Sequence, residues 1–229
     1  MSFPLRATSA LGQPKDFGSV LVLPLLPVVP AVPDVESALR VTEALQKAGL
    51  LQIEITFRST EAPQALRAVV REFPEMTVGA GTLLTPEQVR EAKDGGAHFG
   101  VAPGSNPRVL KAAREAGLPF LPGVATPTEI ELALEQGYLW QKIPGILGNF
   151  DAFLGWIHGA YAHTGLRVVP AGGTTCENLA ERLQHPLIGA CAGTWITPDS
   201  LIREKKWGEI EALALKFMGA VAKPVVTKG

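Results

Sequence analysis

Four times between residues 49 and 137, a stretch with helical spacing ends on glycine and a short apolar run starts within two residues. The glycines are Gly49, Gly95 with Gly96, Gly117 and Gly137. Glycine just past a helical stretch is a stop signal, and an apolar run bounded by turn residues is the pattern of a strand covered on both faces. A chain that keeps switching in this way builds a parallel sheet, because parallel neighbours need a crossover helix between them.

On this rule the apolar runs 20–29, 50–56, 76–80, 97–101, 119–122, 138–143, 166–169 and 188–192 are eight strands. Helices are expected over 34–47, with Asp34 as its cap, then over 60–73, 86–94, 106–116, 126–136, 150–163 and 176–183. A short helix near Pro198 and a longer one over 207–222 follow. Eight strand–helix units in 229 residues predict an α/β fold, a single-domain closed (β/α)8 TIM barrel. An open doubly wound sheet is the alternative, but its first turn is normally rich in glycine, and residues 30–33 contain none. Residues 1–19 read as an N-terminal tail or short helix, and 20–229 as the barrel domain.

A net charge of -1 gives no reason to expect nucleic acid or an anionic membrane as partner. The apolar run 21–32 is broken by Pro24, Pro27 and Pro30, and is too short to span a bilayer as a helix. It also lacks the basic start and small-residue cleavage site of a secretion signal. Cys176 and Cys191 have neither metal-like nor redox-like spacing, so two free thiols and a cytoplasmic location are expected.

In a barrel of this kind the chemistry sits where strands end and helices begin. The sixth apolar run carries Lys142 near its end. Burial disfavours an ammonium, lowers its pKa and frees the amine to attack a ketone as a Schiff-base nucleophile. The other reading is a lysine that snorkels to solvent. Strand period two puts Glu54, Thr56 and Arg58 on one face at the end of the second run. They fit an ordinary ion pair, or a proton shuttle beside a carboxylate-gripping fork. Gly79, Gly81 and Thr82 end the third run, where glycine lets a ligand approach the backbone or merely serves a turn. Rigid turns explain Pro103-Gly104 and Pro122-Gly123 fully. Gly172-Gly173 and Gly193-Thr194, after the seventh and eighth runs, lie where such barrels commonly hold a phosphate; two plain glycine turns are the alternative. His98, His158, His163 and His185 show no metal-ligand spacing, although His98 could face the barrel.

Taken together, the stretches 54–58 (EITFR), 79–82 (GAGT), 102–104 (APG), 121–129 (LPGVATPTE), 171–173 (AGG) and 192–198 (AGTWITP) resemble the 2-keto-3-deoxy-6-phosphogluconate (KDPG) / 4-hydroxy-2-oxoglutarate (KHG) aldolase family. The resemblance runs in register from about residue 20 to the last helix. It implies a (β/α)8 barrel, a homotrimer, and a class I aldolase that uses neither metal nor cofactor and splits a 2-keto-4-hydroxy acid into pyruvate and an aldehyde. Lys142 would form the Schiff base, Glu54 would move protons, and Arg58 and Thr82 would hold the pyruvyl carboxylate. Gly172, Gly173, Gly193 and Thr194 would surround a phosphate.

The family's lysine is usually followed as Lys-Phe-Phe-Pro-Ala-Glu; here Lys142 is followed by Ile143-Pro144-Gly145-Ile146-Leu147. The pyruvate methyl needs an apolar wall, which Ile143, Ile146 or Phe150 is expected to supply in place of the missing aromatic. Two other readings remain open at this stage. One is a pyruvate-enamine lyase of shifted specificity, such as an oxaloacetate decarboxylase. The other is a barrel that binds a keto acid or phosphate without turnover. A sugar-phosphate isomerase barrel would want a metal site or a further acid–base pair on strand ends, and would give Lys142 no covalent role.

Overall fold

The computed structural model describes residues 13–145 and 148–221. Strands and helices alternate in it as β1 Leu25–Val29, α1 Val35–Lys47, β2 Gln52–Thr56, α2 Ala62–Glu72, β3 Thr77–Gly81, α3 Pro86–Asp94, β4 Phe99–Val101 and α4 Pro107–Glu115. Then come β5 Phe120–Leu121, α5 Pro127–Glu135, β6 Trp140–Pro144, α6 Phe150–Tyr161, β7 Arg167–Ala171, α7 Leu179–Gln184, β8 Cys191–Gly193, α8 Asp199–Arg203 and α9 Trp207–Val221.

Local chemistry sets where the helices start and stop. Asp34 accepts the Ser37 N–H at 2.6 Å. Thr126 and Glu129 form a reciprocal capping box, and proline opens α3, α4 and α5, where a missing N–H costs nothing. At the far ends Gly49, Gly96, Gly117 and Gly137 all take positive φ, 57° to 89°, which lets the chain leave the helix and enter a strand at once.

The strands lie in the order β5-β4-β3-β2-β1-β8-β7-β6, every pair parallel. Among the described residues, the ring closes through a single parallel bridge between Gly123 and Lys142. There the Lys142 N–H donates to Pro122 O at 2.8 Å, and Lys142 O accepts from the Val124 N–H at 2.9 Å. The fold is the expected TIM barrel.

Strand alternation sorts the core into two layers. Inside the ring Leu26, Val28, Phe99, Val101, Leu121, Val169 and Ala192 pack together. Outside it, the opposite strand faces and the inner helix faces form the larger layer, including Leu25, Ile53, Ile55, Val78, Ile143 and Val168. The bottom of the ring is plugged by Phe17, which sits on a 3-10 turn, Phe17–Val20, that straddles the expected boundary at residue 20. Its ring meets Phe99 edge-on at 5.4 Å and Trp140 at 5.9 Å. Residues 1–12 of the expected tail and Ala222, the expected end of the last helix, lie outside the described residues.

The strand bounds move, and proline is the reason in the first and fifth. The first strand starts at Leu25 rather than residue 20, because Pro24 has no N–H for the ladder. The side chain of buried Gln52 substitutes for the missing ladder. It accepts from Val22 N–H at 2.8 Å and donates to Leu23 O at 2.7 Å and Leu25 O at 2.8 Å. Between Pro119 and Pro122 only Phe120–Leu121 remains of the fifth strand. The sixth and seventh strands instead run on to Pro144 and Ala171. Lys142 is therefore the middle residue of its strand rather than the next to last.

Candidate active site

β2 and β6 are four strands apart in a ring of eight, so they face each other across the barrel. Glu54 is the third residue of β2 and Lys142 the third of β6. The Glu54 side chain points inward: a Cβ added at Gly81 of the neighbouring strand would lie 2.0 Å from its Oε1. Gly81 is thus the clearing that the Glu54 carboxylate fills, and Gly79 is likewise filled by the ring of Phe99. The expectation that these glycines admit a ligand to the backbone gives way to this simpler packing reason.

Glu54 is buried and Lys142 half-buried. Burial raises the Glu54 pKa, and the nearby charges of Lys142 and Arg58 pull against that rise. Burial lowers the Lys142 pKa; the Glu54 charge opposes the fall and the Arg58 charge adds to it. Three ionisable groups from opposite sides of the ring are therefore close enough to sense one another. Arg58, exposed at the end of β2, donates from Nε to Thr82 Oγ1 at 3.1 Å. Thr82 holds that hydroxyl with φ at 58°, a left-handed conformation that strains a β-branched residue. Such strain clusters at functional positions.

The apolar wall was expected from Ile143, Ile146 or Phe150. Ile143 alternates with Lys142 and packs outward, in the layer between barrel and helices. Phe150 opens α6 and lies under the Arg182 guanidinium at 4.7 Å. Ile146 lies outside the described residues. The barrel interior itself carries apolar residues beside Lys142. Val169 is the register partner of Lys142 on β7, and Leu121 and Val101 pack with it inside the ring. Strand parity around Lys142 was the signal in the sequence that could have found them.

The two glycine turns are adjacent but unequal. Gly172 and Gly173 follow β7 with φ of 85° and 64°. The Gly172 N–H is already donated to Ala192 O at 3.0 Å, so Gly172 serves the turn by its conformation. Gly173 N–H has no partner among the described residues, while Gly173 O accepts from Asn178 Nδ2 at 3.0 Å. Gly193, buried at the end of β8, lies against the ring of Trp195, and Thr194 beside it is exposed. Sequence reasoning missed Arg182 of α7. It donates to Gly172 O at 3.1 Å, to Thr174 Oγ1 at 2.9 Å and to Gly145 O at 3.4 Å, tying the turn after β6 to the turn after β7.

His98 does not face the barrel. It is exposed, and its Nδ1 accepts the Val78 N–H at 3.0 Å. His158 and His185 meet edge-on at 5.5 Å between α6 and α7. Among the described residues no three His, Cys, Asp or Glu side chains are grouped to hold a metal ion. No helix among them is long and apolar enough to cross a membrane.

The family model described as KDPG and KHG aldolase matches residues 19–213. The chain belongs to this aldolase family. The 2-dehydro-3-deoxy-phosphogluconate aldolase of Treponema pallidum is 39% identical over 188 residues, 82% of this chain and 89% of that protein. A crystal structure of the KDPG aldolase of Legionella pneumophila, with pyruvate captured at low pH as a covalent carbinolamine intermediate, superposes with a TM-score of 0.82. It is 31% identical, and the match covers 88% of this chain and 97% of the other. The KDPG aldolase of Zymomonas mobilis, solved with 3-phosphoglycerate, gives a TM-score of 0.78 at 30% identity, over 89% of this chain and 95% of that one.

Proposed function

We propose that this member of the family is a class I aldolase that cleaves a 2-keto-4-hydroxy acid of the KDPG or KHG type to pyruvate and an aldehyde, with Lys142 as nucleophile. One observation carries the reading. Lys142 is half-buried on the inner face of β6, its pKa lowered by burial, opposite a buried Glu54 whose pKa is raised. An amine that gives up its proton easily and an acid that keeps its own are the pair that imine formation needs.

The neutral Lys142 amine adds to the keto carbon. Glu54 gives a proton to the carbinolamine oxygen, water leaves, and a protonated imine remains. Glu54, now a carboxylate, takes the proton of the hydroxyl on the fourth carbon. The bond between the third and fourth carbons breaks, the aldehyde departs, and the electron pair passes into the enamine. Protonation of the enamine and hydrolysis of the imine release pyruvate and restore the lysine. The protonated imine is the electron sink, so no cofactor is required. Arg58 and the Thr82 hydroxyl hold the carboxylate of the pyruvyl half. The Gly173 amide and Thr194 offer donors to a distal phosphate, with Gly172 and Gly193 shaping the two turns.

Pyruvate with borohydride tests the nucleophile. Mass analysis should find one reduced pyruvyl group, on Lys142, and none on K142R. A label on another lysine, or no label, sinks the assignment. The reading extends to a homotrimer in the cytoplasm, as the family's habit suggests. Sedimentation of the purified protein checks the assembly.

A further inference from the structure

Arg182 is half-buried, and the acceptors of its hydrogen bonds are the carbonyls of Gly172 and Gly145 and the hydroxyl of Thr174. Asp151 and Glu181 line the same cavity between α6 and α7, but among the described residues neither pairs with the guanidinium. A positive charge with no ion-pair partner among the described residues, lying over the Phe150 ring at 4.7 Å, stands directly behind the turn after β7. The geometry of that turn is directional. A trans peptide points its C=O and N–H in opposite directions, and among the described residues there are no cis peptide bonds. The carbonyl of Gly172 and the N–H of Gly173 belong to one peptide unit. Arg182 holds the carbonyl end at 3.1 Å, so the N–H end is presented on the side away from α7, where it has no partner among the described residues. The preceding peptide is fixed separately, through Gly172 N–H to Ala192 O, and Asn178 fixes the following carbonyl.

We propose that Arg182 is a positioning residue for an anionic group at the far end of the substrate: it locks the Gly172–Gly173 peptide with the amide outward and supplies the positive charge behind it. This deepens the aldolase reading and rests on it. Its consequence is that preference for a phosphorylated over an unphosphorylated 2-keto-4-hydroxy acid depends on a side chain outside the barrel.

The test uses the full chain, as wild type, R182Q and R182K, with KDPG and its unphosphorylated analogue as paired substrates. In R182Q the ratio of kcat/KM for the phosphorylated over the unphosphorylated substrate should fall about tenfold or more, through KM, because hydrogen bonds to a charged group are at stake. R182K keeps the charge but not the fork, and should lie between. Equal losses on both substrates would reduce Arg182 to a structural clamp and overturn the proposal, as would an unchanged ratio. If R182Q fails to fold, the ratio in R182K decides. Pyruvate trapping on wild type reads the aldolase assignment separately. If that assignment fails, binding of inorganic phosphate, followed by calorimetry, still decides: it should weaken about tenfold in R182Q. Equal binding by both proteins, or none by wild type, overturns the proposal.

Discussion

Burial makes the Lys142 ammonium easier to deprotonate, Arg58 helps, and Glu54 resists. Removing the resisting charge in E54Q should therefore move the half-point of pyruvate trapping to lower pH, while R58Q should move it higher. Half-points that stay put in both variants would show that the three charges do not sense one another. Turnover in E54Q should fall roughly 10²- to 10⁴-fold, the usual worth of a positioned acid–base. The same shifts bear on stability. Between the lowered Lys142 value and that of the unfolded chain, the unfolded state holds a proton the folded state lacks, so stability rises with pH. Glu54 behaves oppositely: between the ordinary carboxylate value and its raised one, the folded state holds the extra proton, and stability falls as pH rises. At neutral pH both groups cost folding free energy. The double variant K142M/E54Q should be inactive yet more resistant to urea, by roughly 1–4 kcal/mol.

At the scale of strands and turns, β3 exists to be bare. Gly81→Ala would force a Cβ to within 2.0 Å of Glu54 Oε1, so activity should collapse while the far-ultraviolet spectrum and pyruvate-independent folding persist. Survival of wild-type kcat would mean the carboxylate can stand elsewhere. This pairing was not legible in the sequence, because Glu54 and Gly81 meet only across a ladder. What was legible was local: glycine at helix ends and Asp34 as a cap, all chemistry decided within four residues. The strand-end residues could be named because period two and the barrel rule select them. The wall around Lys142 was expected from residues near it in sequence, and nearness in sequence is not nearness in space; parity sends Ile143 the other way. Arg182 stayed hidden because an arginine on a short polar helix reads as a solvated face until its carbonyl partners, up to 37 residues away, are known.

For the whole molecule, the plug at the bottom is what gives the charged top something to stand on. Phe17 is 2% exposed and touches both Phe99 and Trp140, whose strand carries Lys142. F17A should cost about 3–5 kcal/mol in a denaturant melt. Trp140 emission should shift to the red as water enters, and an unshifted spectrum would mean that the plug is closed by other residues. Among the described residues the ring above it is closed by one bridge, which joins Gly123 to the backbone of Lys142 itself. Each of its two hydrogen bonds contributes about 1 kcal/mol, so this is the thinnest joint in the circle. Breathing of the ring should begin there, and the Lys142 amide proton should exchange with solvent before its counterparts on β2 or β3. A permuted gene whose new ends fall between Gly123 and Lys142 would thus cut the wall where the fewest bonds are lost, yet would loosen the frame that aims the amine. In this barrel, where the circle is easiest to open is also where opening does most harm.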